Sequence, residues 1–122
     1  MNSDNIIKIA VNVLNNKKAR NINAIHVGEL TVIAEYFIMA TATSQSHIKA
    51  LADELEEKLE EAGYKADHIE GKATGWLLLE YMGVVIHIFT ADAREYYNLD
   101  RMWADGDVLD LDSILENARE EE

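Results

Sequence analysis

The 122-residue chain has no cysteine and no proline, only two phenylalanines, and few cations: 11 Lys and Arg stand against 23 Asp and Glu, a formal net charge of −12. Without cysteine there is no disulfide framework, no thiolate nucleophile and no zinc ribbon, so stability has to come from packing. The shortage of Lys and Arg argues against wrapping a phosphate backbone, because nucleic-acid affinity rests largely on cations that displace counterions. A basic protein partner fits this charge better. No run approaches the ~18 apolar residues of a membrane span. Met1 to Ala10 also lacks the basic start, continuous apolar stretch and small-residue cleavage site of a secretory signal, and the cytoplasm is the expected compartment.

What is present suits one domain, since 48% of the residues are hydrophobic and the length matches a single core. The acid is unevenly spread. From Asp100 to Glu122 nine acids face two bases, a balance of −7 out of −12. Such a run is either a solvated tail or a steering charge for something basic.

Apolar periodicity predicts a helix capped by Ser3 or Asp4, with Ile6, Ile9, Ala10, Val13 and Leu14 on one stripe, running to about Lys18. Alternation predicts a short strand over Asn21 to Val27. A turn from Leu30 then leads into a buried strand from about Tyr36. Thr43, Ser44 and Ser46 can cap a helix whose stripe is Ile48, Leu51, Ala52, Leu55, Leu59 and Ala62, with Gly63 as its left-handed stop. A strand over Lys65 to Glu70 and a turn over Gly71 to Gly75 follow. Trp76 to Tyr81 and Val84 to Phe89, separated by Met82-Gly83, read as a central hairpin covered on both faces. Asp92 to Trp103 is helical in pattern, and Asp112 to Arg119 reads as a last short helix. The fold class is therefore α/β of α+β type, a mixed sheet of about five strands flanked by helices, with some apolar surface left over for a partner or a second copy.

Chemistry is weakly signalled. No Gly-x-Ser-x-Gly elbow is present, and the serines lie in a capping segment. His26, His47, His68 and His87 fall in separate elements without metal-ligand spacing. The loop before the best helix, Ala40 to Ser44, has no glycine to cradle a phosphate, and Glu80 is a lone acid in the central hairpin where two-metal chemistry needs several. No cofactor or metal is expected. The aromatics are more telling. Trp76 stands at a strand entrance and Tyr96-Tyr97-Asn98 beside Arg94 and Asp100, positions that suit interface anchors as well as core.

The runs Leu30 to Ile38, Thr43-Ser44, Trp76 to Tyr81, Val84 to Phe89 and Arg94 to Trp103, in this order and spacing, resemble the ribosomal silencing factor (Iojap) family from about Ile6 to Asp105. The likeness fades after Asp105, so the domains are read as 1–105 for the family domain and 106–122 for an acidic extension with a short helix. The resemblance implies a nucleotidyltransferase-like fold without enzymatic activity. It implies a translational repressor that binds ribosomal protein fourteen of the large subunit and blocks joining of the small subunit, and a homodimer when free. Two alternatives are a large-subunit biogenesis factor and a nucleotidyltransferase-like enzyme. By position, the resemblance places Trp76 and Leu77 in the partner surface, with His87, Thr43 and Ser44 as polar neighbours. Tyr96, Tyr97 and Asn98 form a second patch at a dimer or ribosome contact, with Arg94 orienting it through Glu80 or a partner. The chain departs from the family pattern at Glu35 and Glu80, where Asp is usual, and at Met82-Gly83, where a Gly-Asp type turn is common.

Overall fold

The computed structural model describes residues 2–32, 34–73 and 75–120, with side chains except at 2, 72, 73 and 116–120. Helix α1 (Asn2–Asn16) buries Ile6, Ile7, Ala10, Val11, Val13 and Leu14, the set that three-and-four spacing brings onto one stripe. It ends short of Lys18, which takes a left-handed φ of 67° and turns the chain into β1 (Arg20–His26). Strand β1 runs antiparallel to β2 (Tyr36–Ala42), with an irregularity between Arg20 and Asn23 that holds Asn21 at φ 50°.

Helix α2 (Gln45–Glu61) starts where the hydroxyls predicted: Ser44 Oγ accepts the His47 backbone N–H at 3.1 Å. Its buried residues are Ile48, Leu51, Ala52, Leu55 and Leu59, and Gly63 follows at φ 97°. Strands β3 (His68–Ala73), β4 (Trp76–Tyr81) and β5 (Val84–Thr90) form an antiparallel meander. Strand β3 starts later than expected and runs on through Gly71, which pairs with Leu77. Cross-strand pairing overrides the turn preference of a glycine there. The β4–β5 turn holds Met82 at φ 48° and Gly83 at φ 86°, the primed geometry that matches strand twist.

The helix expected over 92–103 is two helices, α3 (Ala91–Tyr97) and α4 (Leu99–Met102), broken at Asn98 in the left-handed conformation, φ 53° and ψ 47°. Strand β6 (Asp107–Val108) and helix α5 (Leu111–Glu120) complete the chain. The sheet has six strands in the order β3-β4-β5-β2-β1-β6, with β2 and β5 parallel and the other neighbours antiparallel. The sixth is β6, two residues long and too short to leave an alternation in the sequence. It pairs with β1, and Leu109, Leu111, Ile114 and Leu115 pack against the main core, so segment 106–115 is tied into the domain.

Each sheet face has its own cover. On one side α1 and α2 close over an aliphatic core that includes Ile38, Leu79, Tyr81, Ile86 and Ile88. On the other, α3 and α4 lie over Ile25, Phe37, Met39, Val85 and Phe89.

Candidate interaction face

Alternation along β4 sends Leu77, Leu79 and Tyr81 towards the aliphatic core, and Trp76 and Leu78 to the opposite face. In register, Trp76 lies opposite Phe89 and Leu78 opposite His87. The rings meet there. Trp76 lies 5.2 Å from Phe89, stacked at 29°, and 4.5 Å from Tyr97, centroid to centroid. Phe37 is edge-on to His87 at 4.9 Å and to Trp103 at 5.0 Å, and Tyr97 is edge-on to Tyr96 at 5.0 Å. These are the offset and edge geometries that ring quadrupoles favour.

The Trp76 indole N–H donates to His87 Nδ1 at 3.2 Å. That nitrogen therefore carries the lone pair, and the imidazole acts as a fixed acceptor beneath the indole. At 4% exposure His87 is the floor of this face rather than part of its surface. Trp76, Leu78, Tyr97, Leu99 and Trp103 are half-buried over it, while Tyr96 and Met102 stand 82% and 65% exposed.

Not all the expected site residues converge. Leu77 pairs with Ile88 and packs on the aliphatic side, so the apolar neighbour of Trp76 on the open face is Leu78. Sequence could not choose between them because 76–79 is apolar on both parities. Thr43 and Ser44 lie at the end of β2. The Thr43 N–H donates to His47 Nδ1 at 2.9 Å, so both residues serve the start of α2. With Tyr96 they line an open cleft of about 820 Å³, together with Arg20, Thr90 and Asp92. This cleft lies beyond the C-terminal ends of the parallel strands β2 and β5, whose following helices leave to opposite faces of the sheet. Gly75 is needed against Thr90, one of the lining residues: at φ 92° it sits so close that a Cβ would lie 2.7 Å from Thr90 Oγ1.

Asn98 is exposed and forms the corner between α3 and α4, its N–H donating to the Arg94 carbonyl at 2.9 Å. Arg94 pairs with Asp100 rather than Glu80, through Nε to Oδ2 at 2.9 Å and Nη2 to Oδ1 at 2.8 Å. Glu80 sits out on β4, opposite Val85 and His68. The hydrogen-bonded guanidinium holds the Asp100 carboxyl below the usual carboxylate range, against the desolvation that raises it. Among the described residues no three His, Asp or Glu side chains are grouped to hold a metal ion, and no helix is long and apolar enough to cross a membrane.

Comparison with known proteins adds what geometry does not. A family model described as "Ribosomal silencing factor during starvation" matches residues 1–122. The chain belongs to the ribosomal silencing factor family. The match includes segment 106–122, where the sequence resemblance was expected to fade. Curated relatives include the ribosomal silencing factor of Bacillus subtilis, 34% identical over 113 residues that cover 92% of this chain and 96% of that one. The factor of Halalkalibacterium halodurans is 30% identical over 116 residues, 94% and 99% of the two chains. A mouse protein named for mitochondrial assembly of the ribosomal large subunit is 31% identical over 101 residues, 80% of this chain and 44% of its own. Among solved structures, a crystal structure from Chromobacterium violaceum superposes with a TM-score of 0.77 at 32% identity, covering 82% of this chain and 84% of that one. A family of silencing factors is a class of regulators.

Proposed function

We propose that this chain represses translation by binding the large ribosomal subunit through its aromatic face, with ribosomal protein fourteen as the contact, and so excludes the small subunit. The carrying observation is the half-open array of Trp76, Leu78, Tyr97 and exposed Tyr96 on a protein of net charge −12. Rigid aromatic anchors give large contact area at small entropic cost. The net acidic charge of the chain steers it to a basic protein and away from bare phosphate backbone. Binding energy and steric exclusion do the work, and no catalytic step is required. Tyr96 and Tyr97 belong to the same array, because Tyr97 touches both Trp76 and Tyr96, and Asn98 follows them at the α3–α4 corner. The free protein is expected to be a cytoplasmic homodimer.

Light scattering of purified large and small subunits, mixed with and without the protein, tests this. Loss of joining that excess ribosomal protein fourteen relieves is the expected result. Normal joining with no binding to either subunit would refute it. A second reading, a role in building the large subunit, is favoured by the name of the mouse relative. It predicts that the protein co-sediments with immature large-subunit particles and leaves the joining of mature ones unchanged.

A further inference from the structure

At the α3–α4 corner Ala93 is the one buried residue of α3 and α4 has none, while Tyr97 and Leu99 are half-buried against the sheet. Polar contacts add to this packing. The Arg94 side chain, 12% exposed, spends its fork on three elements at once. Nε and Nη2 grip both oxygens of Asp100, and Nη1 donates to Thr41 Oγ1 on β2 at 2.9 Å and to the Asn21 carbonyl on β1. The Asn23 amide closes the group, either by its nitrogen 3.3 Å from Asp100 Oδ1 or, turned over, by its oxygen 3.2 Å from Arg94 Nη2.

The pairing depends on the break at Asn98. Six residues apart on a continuous helix, two side chains point ~120° apart around the axis and lie ~9 Å apart along it. The left-handed residue folds α4 back so that Asp100 meets Arg94. A planar guanidinium that binds a carboxylate with two parallel hydrogen bonds fixes orientation as well as distance, which a Lys ammonium does not.

We infer that the Arg94–Asp100 clasp is the positioning device of the aromatic face. It seats the corner on β1 and β2, and so sets Tyr97 against Trp76 and Trp103 against Phe37 in the arrangement a large-subunit partner meets. This rests on the proposal that the face is the ribosome contact, and the test separates the two. Trp76 and Trp103 are the chain's two tryptophans and both lie on this face, so tryptophan fluorescence reads it alone.

The experiment compares wild type with Asp100→Asn and Arg94→Lys in the full chain. It measures acrylamide quenching of tryptophan, far-UV circular dichroism, and affinity for purified large subunits. The expected result is unchanged helix and sheet signal, increased quenching in both variants, and affinity reduced about ten-fold, because loss of orientation weakens a site whose residues are all still present. Arg94→Lys keeps the charge, so a mere charge effect would leave it like wild type, and that result overturns the clasp. Unchanged quenching in folded variants also overturns it, whatever happens to stability. Increased quenching with undiminished affinity upholds the clasp and removes this face from the ribosome contact. If Asp100→Asn does not fold, Arg94→Lys decides by the same criteria.

Discussion

The two faces of the sheet are built from one set of strands yet are closed to different degrees. Under α1 and α2, fifteen and seventeen residues long, Ile6, Leu14, Ile38, Leu51, Leu55, Leu59, Leu79 and Ile86 are all at 0% exposure. Even the phenol of Tyr81 is enclosed on that side, and burial, then Glu56 and Glu60, push its pKa up to about 12. Under α3 and α4, seven and four residues long, Trp76, Tyr97 and Trp103 stay half open over buried Phe37, His87 and Phe89. At 1.5 Å of rise per residue such helices cannot roof a sheet face. Helix length thus separates a closed face from a half-open one, and the short roof carries the Arg94–Asp100 clasp.

The largest effect is expected on the closed side. Leu55→Ala should cost about 3 kcal/mol of unfolding free energy in a urea titration, by lost transfer energy plus a cavity. Affinity of the folded variant for large subunits should stay as it was. Trp76→Ala should reverse that profile, with a stability loss smaller than that of Leu55→Ala and a loss of about 2 kcal/mol in subunit affinity. If Trp76→Ala leaves affinity intact, the division of labour between the faces collapses and Trp76 is core.

Smaller effects sharpen the comparison at places that belong to neither face. Met82 carries a side chain at φ 48°, so Met82→Asn should raise stability by about 1 kcal/mol in the same titration and leave binding alone. Its N–H would keep its bond to Asp67 Oδ2, 2.8 Å long here. Neutralising Asp105, Asp110 and Asp112 to amides should slow association with large subunits modestly at low salt. The effect should vanish near 1 M, where screening reaches within about 3 Å. Deletion of 107–122 is the poorer test, because it removes Leu109, Leu111 and Ile114 from the core along with the charge. An equal slowing at all salt concentrations would take steering away from these acids.

Much of the fold was legible because burial leaves a period in the sequence. The stripe of α1, the stripe of α2 up to Leu59, the Ser44 cap and the Met82-Gly83 turn are local patterns that fall where the sequence puts them; Ala62 is instead the exposed C-cap of α2, and α1 already contains Ser3 and Asp4, the expected caps. The other differences fall where local pattern is silent. Asp92 to Trp103 looks helical throughout, and the break at Asn98 goes with contacts from Arg94 to Asp100 and to two strands distant in sequence, which no local pattern shows. Gly71 looks like a turn and is held in β3 by its pairing with Leu77. The candidate site was legible as a list of aromatic residues but not as a surface: Trp76 and Tyr97 meet, Leu77 turns away, and His87 lies beneath.

The sequence by itself determined the fold class, the main helices, the central hairpin and the acidic balance, since each follows from composition or from a period of 2 or 3.6 residues. Only the tertiary structure decided which face of β4 is open, that 106–115 joins the core, and that Arg94 is fastened to Asp100. Those depend on strand order and on contacts between residues far apart in the chain, and a strand apolar on both sides carries no mark of which side will be covered.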